Sequence, residues 1–167
     1  MGLFDKEYKF FGKHATYCRF LKDEGIIKTF REVYLISTVI GFLNNTCSPI
    51  DKEEKVQEAS ILPSELMQQK DNLTFLYRII MLTKEDDGFS IDDYKNRAFR
   101  DDVDDENPEK VKKNMELFNS YSRAGVEILY DKFKDGTNKK DYANILNQFL
   151  TEFCTDTTLI LDEEDDF

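Results

Sequence analysis

The sequence predicts an all-α protein: a compact single-domain bundle of about six helices that carries an acidic C-terminal tail. Three observations predict it. Apolar residues recur at spacings of three and four through most of the chain, several of these runs open on helix-starting residues, and most are joined by short loops. The chain has 167 residues, 40% of them hydrophobic and 13% aromatic. A chain of this length buries roughly 70% of the surface it exposes when unfolded, and this composition lacks the low hydrophobicity of wholesale disorder. No internal repeat and no Gly/Ser- or Pro-rich linker is present. The bundle is therefore expected over residues 1–155 and the tail over 156–167.

The first helix is expected over about residues 12–24. His14, Tyr17, Cys18 and Leu21 fall on one helical face, and Gly25 supplies the positive φ that ends helices. Thr29-Phe30-Arg31-Glu32 fits a capping box, so a second helix follows to about Leu43. Beyond its first turn that helix is apolar on nearly every face, which predicts a place at the centre of the core. Asn44 to Ala59 is polar and charged and contains Pro49, and reads as a long surface loop.

Pro63 marks the next start, and Leu66, Leu73, Tyr77 and Ile80 carry one helix to about Thr83. Ser90 can cap a shorter helix burying Ile91, Tyr94, Ala98 and Phe99. Asn107-Pro108-Glu109 is an N-cap, a first-position proline and a first-turn acid in sequence. The helix it starts sets Val111, Met115, Phe118, Ser122, Gly125 and Leu129 on one face, and Ser122, Ala124 and Gly125 are small enough for another helix to approach closely. Asn138 can cap a last helix burying Tyr142, Ile145, Leu146, Phe149 and Phe153. Thr157 to Leu161 reads as a short strand, an edge-pairing segment or disorder.

Charge removes several function classes. With 34 acidic against 23 basic side chains the net charge is −11, the opposite of the basic footprint of a phosphate-backbone binder, and unsuited to anionic lipid. Direct nucleic-acid binding and membrane binding are not expected. The longest strongly apolar run, Val33 to Leu43, is far short of the ~20 residues that span a bilayer. The first residues lack the apolar run of a secretory signal, and Cys18, Cys47 and Cys154 are too few and too widely spaced for a disulfide framework. Cytoplasmic placement with free thiols is the expectation.

No cofactor, metal or catalytic residue is expected. One histidine and no close cysteine pair cannot build a structural zinc site. His14 is the single histidine and sits on the helical stripe, as a structural side chain would. The glycine turns at Gly88 and Gly136 fail as calcium loops because ligand positions are missing in both. No phosphate-cradling glycine motif is present.

The segment Ile79-Ile80-Met81-Leu82-Thr83-Lys84-Glu85-Asp86-Asp87-Gly88-Phe89-Ser90-Ile91-Asp92-Asp93 resembles the helix, Asp-Gly turn and Ser-capped helix of TerB-like domains. Those are small helical modules of bacterial stress-resistance and defence cassettes. The resemblance implies a bacterial accessory protein and carries over no catalytic residue. The last residues, Asp162, Glu163, Glu164, Asp165, Asp166 and Phe167, are similar to the acidic, Phe-terminated tails with which bacterial single-stranded-DNA-binding proteins recruit partners, with Asp166 where those tails carry proline.

The expected function is thus a non-enzymatic adaptor or accessory subunit that binds a protein with a basic surface, such as a nucleic-acid-binding protein. The candidate contact residues are that tail and the cluster Asp101, Asp102, Asp104, Asp105 and Glu106. A DNA-mimic inhibitor that occupies a partner's nucleic-acid site is the alternative, with Asp86, Asp87, Asp92 and Asp93 adding to the phosphate-like charge. A small carboxylate-dependent enzyme is a second alternative.

Overall fold

The structure, a computed structural model, describes residues 2–51, 58–101 and 108–162, the side chains of 153–162 excepted. Its elements in chain order are β1 (Tyr8–Phe10), α1 (Gly12–Asp23), α2 (Phe30–Leu43), β2 (Ala59–Ile61), α3 (Pro63–Met67), α4 (Lys70–Thr83), α5 (Ile91–Phe99), α6 (Pro108–Phe133) and α7 (Lys139–Asp162). The protein is all-α, with one small antiparallel pair in which Tyr8 faces Ile61 and Phe10 faces Ala59. The chain forms two compact units, Met1–Tyr130 and Asp131–Phe167. That division falls inside α6, where no linker could have announced it.

In the first unit α6 is the central helix, in place of α2. Six consecutive residues, Tyr121 to Val126, are buried, so neighbours surround α6 on every side there. α2 instead turns one face to α6 and leaves Ile36 and Leu43 outward. The contact is backbone to backbone: a Cβ added to Gly125 would overlap the carbonyl oxygen of Ser37, and one added to Gly41 would overlap that of Tyr121. Across this seam the hydroxyls of Ser37 and Ser122 lie 3.0 Å apart. Aromatic rings fill the flanks. Phe118 contacts Tyr34 of α2 at 5.6 Å and Tyr77 of α4 at 6.2 Å, and Tyr17 of α1 stacks on Tyr130 at 3.8 Å.

Local chemistry sets the helix ends. The Thr29 amide donates to Glu32 Oε2 at 3.1 Å and the Glu32 amide to Thr29 Oγ1 at 3.3 Å, closing the expected capping box. Gly25 takes φ 73° after α1. Two expectations need correction and a third gains detail. The helix expected over 63–83 is two, α3 and α4, because Gln69 leaves helical geometry (φ −115°, ψ 14°) without any glycine or proline to mark it. α5 buries Arg97 and Ala98 while Ile91 and Phe99 are exposed. The 44–59 segment is anchored where it is described: Ser48 is buried, its amide donating to the Ser120 carbonyl at 3.0 Å, and the Asp51 carboxylate accepts from the Lys13 amide at 2.7 Å, closing the open start of α1.

The second unit is built around α7. Asn138 Oδ1 accepts from the amides of Lys140 and Asp141 at 3.0 and 3.1 Å, capping the helix as expected. Tyr142 is buried, contacts Phe133 at 6.3 Å and donates its hydroxyl to the Gly136 carbonyl at 3.1 Å. Leu146, expected in the core, is exposed, as is Leu150. The backbone is helical through Asp162, so Thr157–Leu161 forms no strand.

Candidate functional site

Among the described residues of the first unit, α2 and α4 both carry exposed apolar side chains. Phe75, Ile79 and Leu82 occupy positions i, i+4 and i+7 of α4, with Phe75 67% exposed. The opposite face buries Leu73, Leu76, Tyr77 and Ile80, which accounts for the fold and leaves the outer stripe unexplained by it. On α2, Ile36 and Leu43 repeat the pattern seven residues apart, opposite the face that meets α6. α2 and α4 touch, and each brings a buried tyrosine, Tyr34 and Tyr77, against Phe118 of α6. The Arg78 guanidinium sits 5.2 Å over the ring of Phe99, which is exposed and extends the patch onto α5.

The C-terminal end of the α4 stripe runs into acid. Glu85, Asp86 and Asp87 follow the helix, and Asp92 and Asp93 occupy the first turn of α5. Ser90 caps α5, and Asp93 Oδ2 accepts from the Ser90 amide at 2.8 Å and its hydroxyl at 2.6 Å. These donors hold the Asp93 carboxyl below its ordinary pKa. Asp87, in the turn after α4, and Asp92, in the first turn of α5, are exposed. An apolar stripe that ends in fixed negative charge suits a surface with an apolar groove and a basic rim.

A buried polar network links α1, the segment after α2 and α6 in the same unit. His14 is fully buried and its Nε2 lies 2.7 Å from Glu127 Oε1, which also accepts from Ser48 Oγ at 2.6 Å and Lys13 Nζ at 2.9 Å. A carboxylate only accepts, so Nε2 carries the proton and Nδ1 is a bare acceptor, without a donor among the described residues. Arg123 donates from Nε to the Ser48 carbonyl at 2.8 Å and pairs with Glu116. Burial pushes the His14 imidazole below its usual pKa against the pull of Glu127. Burial also acts to raise Glu127, but the donors Ser48, Lys13 and His14 together hold it below the usual value.

This network borders a cavity of about 300 Å³ with Tyr8, Glu116, Asn119 and Arg123 in its wall. Its order is the wrong one for nucleophilic catalysis. A serine is activated by a histidine placed between it and the carboxylate; here the carboxylate stands between Ser48 and His14. What the arrangement does is tie α1, the segment after α2, and α6 together.

Of the residues singled out from the sequence, Asp101 is described: its carboxylate lies 3.9 Å from Lys110 Nζ and is mostly buried. Asp102, Asp104, Asp105, Glu106 and the tail residues Glu163, Glu164, Asp165, Asp166 and Phe167 lie outside the described residues, as does the side chain of Asp162. The α2/α4 stripes were not singled out. Their signal is present in apolar residues too numerous around both helices for one buried face; on α2 that excess reads as burial on all sides, and on the 63–83 helix Leu76 and Ile79 read as widening the buried face. Among the described residues no group of three or more His, Cys, Asp or Glu side chains can hold a metal ion, and no helix is long and apolar enough to cross a membrane. Cys18 and Cys47 are free thiols. Comparison with family models, curated proteins and solved structures finds no match to this chain.

Proposed function

We propose that the protein is an adaptor or accessory subunit that binds a partner protein through the outer face of α2 and α4. One observation carries this reading: Phe75 and Leu82 stand exposed on a helix whose opposite face already completes the core, and the stripe ends at the exposed acids Asp87 and Asp92. The partner presents an apolar groove rimmed by Lys or Arg. Two copies each carrying −11 repel, which favours a basic partner over self-pairing. The tail, Asp162 to Phe167, provides a second acidic contact in this reading. The TerB-like segment 79–93 spans the acidic end of the stripe and supports a setting in bacterial stress resistance or defence.

The test is binding of the purified partner to wild-type protein and to a Phe75→Gln/Leu82→Gln variant, followed over a range of salt. The reading requires the variant to bind at least about tenfold more weakly and the wild-type affinity to fall with salt. Equal affinity of both proteins contradicts it. Competition with duplex DNA for that partner separates the mimic reading, and a wild-type dimer that the double variant dissolves assigns the stripe to self-association instead.

A further inference from the structure

A second cavity, of about 310 Å³, lies between α5 and the first turns of α6, lined by Asp86, Phe89, Asp93, Asn96, Arg97, Asp101, Lys110, Lys113 and Asn114. Nothing in the docking face described above uses its interior. Arg97 is 6% exposed, yet its Nε and Nη1 have no hydrogen-bond acceptor among the described residues. Asn114 is equally buried and its Nδ2 is likewise without an acceptor. An unmet donor in the interior costs about 1–3 kcal/mol, and more when it is charged. Two such side chains on two helices bordering one cavity indicate a missing acceptor.

Among the described residues the surrounding acids do not supply it. Asp86 is 3.8 Å from Arg97 Nη1, an ion pair too long for a hydrogen bond. Asp93 is engaged by Ser90, and Asp101 stands beside Lys110 at 3.9 Å. Lys113 lines the cavity as a further cation. The positive end of the α6 dipole adds to the attraction, since Lys110, Lys113 and Asn114 lie in its first two turns. The Phe89 ring lies 5.6 Å from the Arg97 guanidinium, occupying part of its surroundings with an apolar group.

We infer that this cavity is a binding site for a phosphate group carried by a small molecule. A planar carboxylate offers two acceptor oxygens, whereas a phosphate offers at least three, directed tetrahedrally, enough to meet Arg97, Asn114 and a lysine at once. The cavity's volume admits a phosphate together with a small substituent. The site holds the phosphate by Arg97 and Asn114 at its base and by Lys110 and Lys113 at its mouth.

The full chain, labelled with ¹⁵N, is titrated with inorganic phosphate and, separately, with a nucleoside monophosphate, each at ionic strength held constant with chloride. The expected result is saturable shifts of the Asn114 side-chain amide and the Arg97 Nε–H, with binding weakened about tenfold in a Lys110→Gln/Lys113→Gln variant, whose lysines are exposed and whose folding is checked by its amide spectrum. Tighter binding of the nucleotide supports a phosphate carried by a small molecule; equal or weaker binding assigns the site to free phosphate and overturns that part of the proposal. Absence of saturable shifts at Arg97 and Asn114, or equal binding by the lysine variant, overturns the proposal and leaves water as the acceptor.

Discussion

Ser37 and Gly125 meet backbone to backbone, with the Ser37 carbonyl oxygen occupying the space that a Cβ on residue 125 would need. Gly41 makes the same contact with Tyr121 one turn along α2. Glycine is otherwise unfavourable within a helix, by about 1 kcal/mol relative to alanine. Its presence at both crossing points is explained by the close approach, which in turn brings Ser37 and Ser122 into hydrogen-bonding range.

Gly125→Ala therefore destabilises the protein even though alanine favours the helix. Overpacking a tight contact costs about 1–3 kcal/mol, and backbone atoms cannot swing aside as a side chain end can. The urea midpoint should fall for Gly125→Ala and for Gly41→Ala; an unchanged or raised midpoint would show that α2 and α6 are farther apart.

Acid should weaken the fold in two stages. Burial lowers the His14 pKa from 6.5, so the unfolded chain binds a proton first; the contribution is complete above pH 6.5 and is lost as pH falls towards the lower native value. Glu127 is lowered from 4.5, so its contribution holds above that pH and is lost on further acidification. His14 is the only histidine in the chain, so its NMR titration can be read without assignment. A titration midpoint above 6.5 would contradict the buried, neutral ring. Stability measured between pH 7 and 5 should fall in the wild type and more shallowly in His14→Gln.

The Thr29 capping box predicts a cost of about 1 kcal/mol for Thr29→Ala. Chemical denaturation checks it, and no loss would mean that water replaces the hydroxyl at the start of α2.

Much of this fold was legible from spacing and capping residues. Thr29, Ser90, Pro63 and Asn138 each open a helix as their chemistry requires, and the small residues near Gly125 pointed to a close helix approach. The β1–β2 pair was not legible, because three-residue strands carry no alternation and Phe10 meets Ala59 from far along the chain. Nor was the exchange of roles between α2 and α6. Periodicity reports how apolar a helix is, while which apolar face finds a partner depends on its neighbours, and those left Ile36, Leu43, Phe75 and Leu82 outside. The Arg97 cavity was hidden for a related reason: an arginine in an acidic stretch reads as a solvated charge until the fold buries it.

Removing Asp162 to Phe167 should leave the folding of the first unit unchanged and weaken partner binding, with a shallower dependence on salt. Calorimetry and binding at two ionic strengths check both parts; unchanged affinity and unchanged salt dependence would remove the tail from the interface.

The docking face is tested most directly by placing a photo-crosslinking residue at position 75 or 82, and at the exposed Lys22 as a control, in cells that make the protein. One partner is expected to be joined from both 75 and 82 and not from 22, with its attached peptide drawn from a Lys- or Arg-rimmed groove. Cross-links no different from those at position 22, or joining only a second copy of this chain, would contradict it.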